Sequence, residues 1–525
     1  MINAFQNVDS ARLMVPPAQA FRGDRQVLSY SSRPLTSGRL PIESNFAIFG
    51  MLFAAWVLID QSFFPQWMNS YPSLFTAPLA AAVLLRPNNV KLFLSLMLAS
   101  LWSFWWKSPF YVNNVFIGAF FASLILISAA IYTIRNRHLP RSLCDLEASC
   151  FPTIRVGVIA IFLFAVLHKT NSAFLDPSIS CAVIHYNKMR KLAPFLPSLQ
   201  SDWSKHFVIW LTWCTEAGIP FLLTLGWMKL PSRKLITVAI IVALGFHFVM
   251  SFNGYQNFSM MALAYYVPFL PIGFYRSISA FILRVKRSDK LATVLRTFGY
   301  LAAIGIVVFA TELFLFAVIK IARPGVILRG ERFLRDEGWV LFNFAAAPLV
   351  MIGFAWLSWQ RFGRSNKLAG GKLPAWTFLL LAIVALSSLS PYLGLKTENS
   401  FAMFSNLRTE GPLEDWNQSF LPTKMRVFPF QDNLITVKKA NWQGKIPRLA
   451  DGKFQIVEFE FRREMAIACR ESDKPLEIDY EVNGRPVHVD DAHKVPELSQ
   501  GNGFLLEKLM FFRLIPNDPR GICLH

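Results

Sequence analysis

Up to about residue 395 the chain is built of long apolar runs separated by short polar stretches, and beyond it the apolar side chains alternate. A membrane-crossing helix needs about 20 mostly apolar residues, or fewer where it is tucked inside protein. Runs that meet this lie at Asn45–Phe64, Ser73–Leu85, Leu92–Trp106, Val115–Ile134, Val156–Leu167 and Phe207–Trp227. Five more follow at Leu235–Ser251, Phe258–Tyr275, Phe298–Ile319, Trp339–Trp359 and Trp376–Leu393. They predict about nine to eleven transmembrane helices. After Leu395 the period changes from 3.6 to 2, with Leu476, Ile478, Tyr480 and Val482 alternating with Glu477, Asp479 and Glu481. Asn483-Gly484 follows, then Val487 and Val489, which predicts a hairpin with a two-residue turn. Phe454–Phe461 and Lys508–Ile515 are further predicted strands. The expected fold class is a polytopic α-helical membrane protein with a small β-rich C-terminal extramembrane domain.

Composition agrees. Only 16% of the 525 residues are charged, against roughly 25% in soluble chains. With 49 Phe and 15 Trp the chain is far too apolar for disorder, and six Cys are too few for a disulfide-stapled scaffold. The net charge of +20 resolves by region. Residues 396–525 hold 18 basic and 19 acidic side chains, so the excess belongs to the apolar part, at +21. With the N-terminus inside, 24 basic residues fall in inner segments and about 11 in outer ones. That bias orients the chain with a cytoplasmic N-terminus and a non-cytoplasmic C-terminal domain in the cell (inner) membrane. Nucleic acid is excluded as a partner, because the basic residues are accounted for by topology. The first 44 residues lack an apolar core near Met1, so no cleavable signal peptide is expected and the first span targets the chain. Cys469 and Cys523 both fall in the outer domain, where a disulfide between them is one reading and six unpaired thiols in the chain the other; no metal site is expected. His488 and His525 are expected to be solvated.

Ionisable groups inside spans are expensive and mark candidate sites. Four stretches carry them or their polar companions: His168-Lys169-Thr170-Asn171 closing the fifth span, Glu216 with Pro220 in the sixth, His247 in the seventh followed by Asn257 and Ser259, and Asn113-Asn114 opening the fourth. Taken singly, Lys169 is a snorkelling lysine and His247 a core histidine. Taken together, Lys169, Glu216 and His247 lie on three consecutive spans toward the outer half and are expected to converge on one cavity. In such a place burial disfavours the ammonium, so the lysine becomes able to accept protons.

At these residues the chain resembles the vitamin K-dependent γ-carboxylase-like, or HTTM, membrane family. The resemblance is carried by His168-Lys169-Thr170-Asn171-x-x-Phe174-Leu175-Asp176-Pro177 with Ser180-Cys181-Ala182, by Glu216-x-x-x-Pro220, and by Phe246-His247 with Asn257-Phe258-Ser259, over residues 45–320. It implies the following division: a cytoplasmic segment 1–44, the family domain 45–320, additional spans 321–395 and the outer domain 396–525. It also implies that Lys169 is the base that deprotonates a reduced, vitamin K-like hydroquinone, with CO2 and O2 consumed if the reaction is a carboxylation. Glu216 and His247 would assist, and His168, Asn171, Asn113, Asn114, Asn257 and Ser259 would shape the substrate site. Where the family carries a histidine that assists its lysine, in an Asn-His segment preceding a span, this chain reads Val112-Asn113-Asn114-Val115. Two functions follow as expectations: a quinone- or lipid-dependent membrane enzyme, or a catalytically inactive scaffold that binds a protein partner through its C-terminal domain.

Overall fold

The apolar runs fold as helices, and their ends are set by local side chains. The computed structural model describes residues 42–63, 71–110, 113–251, 256–287, 293, 352–362, 367–412, 425–517 and 523. The N-terminal segment, the expected span at Phe298–Ile319 and most of that at Trp339–Trp359 lie outside the described residues. The helices are α1 (Asn45–Phe63), α2 (Tyr71–Leu85), α3 (Val90–Lys107), α4 (Asn113–Asn136), α5 (Leu143–Lys169), α6 (Ser172–Leu175) and α7 (Cys181–Leu192). They continue with α8 (Asp202–Trp227), α9 (Lys234–Ser251), α10 (Gln256–Tyr266), α11 (Phe274–Arg287) and α12 (Thr377–Leu389). The Asn89 side chain accepts from the N–H groups of Lys91 and Leu92 and so starts α3. The Asp145 carboxylate reaches back to the Ser142 N–H and starts α5.

Among the described residues four helices, α4, α5, α8 and α9, are long and apolar enough to cross a membrane; Asn45–Asp60, Phe75–Leu85 and Thr377–Leu389 are shorter apolar helices. The chain is therefore a helical, membrane-associated protein. Helix α1 packs against α2, α5 and α10, while α8 packs between α5 and α9. Phe46, Phe49, Phe53, Phe93, Phe121 and Phe151 are fully buried at the centre. Gly118 on α4 admits the Trp56 indole, whose nearest atom would sit 2.3 Å from an added Cβ.

Two helical boundaries differ from expectation. The span expected at Val156–Leu167 begins at Leu143, because Arg155 is taken into the helix. Its guanidinium is 2% exposed and donates to the carbonyl groups of Pro268 and Ala369. The span expected at Phe258–Tyr275 stops at Tyr266, because Pro268 has no N–H to continue an α-helix. A 3-10 turn over Val267–Phe269 then leads to the separate amphipathic helix α11.

The C-terminal region holds a five-stranded antiparallel sheet in the order β4-β3-β1-β2-β5. Its strands are β1 (Leu434–Ala440), β2 (Phe454–Val457), β3 (Ile478–Val482), β4 (Arg485–Val489) and β5 (Ile515–Pro516). The hairpin forms as expected: Val482 pairs with Arg485, and Asn483 and Gly484 take φ of 48° and 81°. That is the left-handed pair a type I′ turn requires. Two expected strands are shorter than predicted. Phe454–Phe461 is a strand only to Val457, where helix α13 (Glu458–Glu471) begins and packs Phe461 and Met465 on the sheet. Lys508–Ile515 pairs only at its end; Pro496–Ser499 forms α14 and Phe504–Leu509 forms α15.

Of the two readings of the outer-domain cysteines, neither holds for Cys523, and the Cys469–Cys523 disulfide does not form. Cys523 is bonded to Cys181 at the start of α7, and Cys469 is a free thiol. The tail is thereby tied to the end of the bundle where α5 finishes. The domain also meets the end of α3: the Lys508 ammonium donates to the Ser108 carbonyl at 2.7 Å. Asn45, Glu147, Pro271 and Lys367–Gly371 gather at the other end, where Asn45 donates to the Pro271 carbonyl and Phe46 N–H donates to Glu147.

Candidate functional site

Lys169 is the last residue of α5 and Glu216 lies in the middle of α8, and the packing of these two helices brings them together. The ammonium and the carboxylate are 2.8 Å apart, with the residues 4% and 7% exposed. The ammonium donates to the Met403 carbonyl at 3.0 Å. Met403 belongs to a strap, residues 396–412, that runs without regular secondary structure from the end of the helical region toward the sheet.

Residues beside Lys169 hold the same strap. The Asn171 amide donates to the carbonyls of His168 and Ser405, and its oxygen accepts from the Phe174 N–H, capping α6. His168 is fully buried: Nε2 donates to the Ser400 carbonyl at 3.1 Å, so Nδ1 is the nitrogen that accepts from the Tyr392 hydroxyl at 3.2 Å. Both ring nitrogens are engaged in the neutral form, which makes His168 a positioning residue. Further along, Asn406 donates to the Ile179 carbonyl and accepts from the Cys181 N–H. The far end of the strap is clamped by Arg513, which pairs with the buried Glu410 at 2.8 Å and donates to the Leu407 carbonyl. Burial alone would raise the Glu410 pKa, but the Arg513 charge and hydrogen bonds together hold it below the ordinary carboxylate value.

The expected convergence is half met, since Lys169 and Glu216 share a site while His247 makes its contacts elsewhere. Its Nε2 meets the Tyr266 hydroxyl at 2.9 Å, its carbonyl accepts from Ser259, and its Nδ1 is buried without a hydrogen-bond partner. Asn257 is also drawn away, donating to Asp60 at 2.7 Å. Asn114 is buried on the first turn of α4, and the buried oxygen of Asn113 has no hydrogen-bond partner.

Asn257 leads to a second buried ion pair that sequence reasoning missed. Asp60 on α1 and Lys107 at the end of α3 are 3.6 Å apart and both buried. They line a cavity of about 30 Å³ with Thr76, Ser100 and Ser103. Asp60 is a carboxylate inside an apolar run, and the rule that singled out Glu216 applies equally to it. The covering strap had no such signal, because nothing in residues 396–412 marks which membrane residue they touch.

In the C-terminal region Glu477, Asp479 and His488 lie close enough to share a cation. His488 already meets Asp479 and Asp490 through its two ring nitrogens, and it is exposed. Comparison of the chain with models of known families, with curated proteins and with solved structures finds no match in any of the three.

Proposed function

We propose that the chain is a multi-pass membrane enzyme in which Lys169 and Glu216 form an acid–base pair acting on a reduced quinone or a related lipid. It would have nine to eleven spans, a cytoplasmic N-terminus and its C-terminal domain on the far side of the inner membrane. The observation that carries the reading is the buried Lys169–Glu216 pair. Removing two charges from water costs several kcal/mol each, so ionisable residues in spans are functional by default. Held 2.8 Å apart, the two would act together on a weakly acidic hydroxyl, Lys169 as the base and Glu216 as its acid partner.

A hydroquinone fits the donor set. The Met403 carbonyl accepts one ammonium proton and Glu216 lies beside the ammonium as its counter-ion, so a substrate oxygen would replace the Met403 carbonyl as acceptor. When bound, such a group supplies the acidic ring hydroxyl and the reducing electrons. Lys169 would hold that oxygen and take its proton, Glu216 would pass the proton on, and the strap would exclude water. The two electrons would go to dissolved O2, the oxidant the family resemblance implies; addition of CO2 is not part of this proposal.

Oxidation of a vitamin K-type quinol by purified protein in nanodiscs, followed by absorbance, tests this. Wild-type turnover is expected to fall at least about a hundredfold in Lys169→Ala, the usual scale for losing a general base. Equal turnover in the variant would remove Lys169 from the chemistry. A second reading, a scaffold in which this cluster fastens the C-terminal domain to the membrane helices, is favoured by one observation. His168, Lys169 and Asn171 all donate to carbonyls of the strap. Copurification of one stable partner lost on deleting residues 425–525, with no quinol turnover in wild-type protein, would decide for it.

A further inference from the structure

Helix α15 is a six-residue amphipathic element whose polar side chains are turned inward. The Glu507 carboxylate accepts from the Asn502 N–H, and its carbonyl accepts from Arg463. The Lys508 ammonium donates to the Ser108 carbonyl at the end of α3, and the Ser108 hydroxyl in turn donates to the Lys508 carbonyl. With both charges used within the protein, the outward face is wholly apolar: Phe504, Leu505, Leu506 and Leu509 are 66%, 62%, 42% and 59% exposed.

This face continues onto the membrane helices. The Phe504 ring lies 6.5 Å from that of Trp105, and Trp102, Trp105 and Trp106 on the last turns of α3 are all more than 40% exposed. Exposed tryptophans at the end of an apolar helix mark the level where hydrocarbon gives way to headgroups. A short apolar face fixed beside that level, and anchored to it through Lys508, has its neighbour decided by position. It meets the bilayer that surrounds α3.

We propose that α15 is a membrane-dipping helix, with Phe504, Leu505, Leu506 and Leu509 seated in the interfacial region of the lipid leaflet that faces the C-terminal domain. Its partner is a phospholipid surface, recognised through apolar burial and needing no particular headgroup. The domain is thereby held against the membrane plane as well as to the helices. The proposal rests on the membrane-spanning reading of the bundle, and the test separates the two.

A photoreactive benzophenylalanine replaces Leu505 in the full-length protein, in vesicles of phosphatidylcholine and phosphatidylglycerol. Matched variants carry it at Leu163, on the exposed apolar face of α5, and at Arg485, on the exposed hairpin. After irradiation, lipid adducts are read by mass spectrometry. Adducts at positions 505 and 163 but not 485, at comparable yield, are the expected result. Adducts at 163 with none at 505 overturn the proposal and leave the spanning reading standing. Adducts at neither position overturn both. Crosslinks from 505 to protein, whether a second copy or another chain, also overturn it by showing that a protein covers the face. Retention of the Cys181–Cys523 linkage in each variant reports that the fold is intact.

Discussion

At Lys169 and Glu216 the geometry makes a prediction about stability that is independent of chemistry. Glu216→Gln leaves an ammonium buried with a carbonyl as its charge partner, and is expected to destabilise the protein by about 3–5 kcal/mol. The double variant Lys169→Met with Glu216→Leu is expected to recover most of that loss, because no buried charge remains. Thermal unfolding in detergent reads both; a double variant as unstable as Glu216→Gln would mean that shape, not charge, sets the site. The pair was legible in the sequence, because an acid and a base inside apolar runs stand out by residue type. The placement of His247 was not. Sequence spacing gives the order of spans but not the rotation of each helix, and rotation turns His247 toward Tyr266. Asp60 carries the same signal, but it sits three residues from the end of α1, where a carboxylate reads as a flanking residue. Its partner Lys107 reads as a snorkelling lysine for the same reason.

At the scale of elements, the Asn483-Gly484 turn and the strap show what local pattern determines and what it leaves open. The turn is specified by two residues, since φ of 81° at Gly484 is strained for any side chain. Gly484→Ala is expected to cost about 1–2 kcal/mol and to lower the unfolding temperature of the sheet, with the membrane helices unaffected. The short strands β2 and β5 were not legible at their true lengths. Phe459 and Phe461 suit a strand by alternation, yet α13 takes them because Glu458 and Glu460 favour the first turn of a helix. The strap carries no periodicity at all, so only tertiary contacts place it. Its Glu410–Arg513 clamp gives it a pH dependence. A carboxyl whose folded pKa is depressed stabilises the fold above its unfolded pKa, about 4.3, and this is lost as pH falls through the folded value. Protection of residues 396–412 against hydrogen exchange, taken relative to the intrinsic rate at each pH, is therefore expected to be flat from pH 7 to about 5 and to fall only below about 4. A loss of protection near pH 6 would assign the clamp to other groups.

For the whole molecule, the Cys181–Cys523 disulfide fixes what the helices alone do not. It closes a loop of 342 residues and joins the chain's tail to α7, one turn of chain beyond the Lys169 segment. Closing so long a loop is worth up to about 5 kcal/mol against the unfolded state. Cys181→Ser is expected to lower the unfolding temperature and to speed exchange in residues 400–408, which pack beside it through Phe404 and Asn406. Unchanged exchange there would separate the tail from the strap. A disulfide persists in an oxidising compartment, which agrees with the proposed placement of the C-terminal domain on the outer side. The sequence offered two cysteines in that domain as one candidate pair, and only the fold brings Cys181, buried at the start of α7, to Cys523. As proposed, the strap closes a quinol site whose base is Lys169. A single-particle density map of the protein in nanodiscs with added vitamin K-type quinol tests this. Elongated ring density against Lys169 and Glu216 is expected, with residues 400–406 displaced from the positions that bind His168, Lys169 and Asn171. A map with the strap unmoved and the site filled by its own side chains would contradict it.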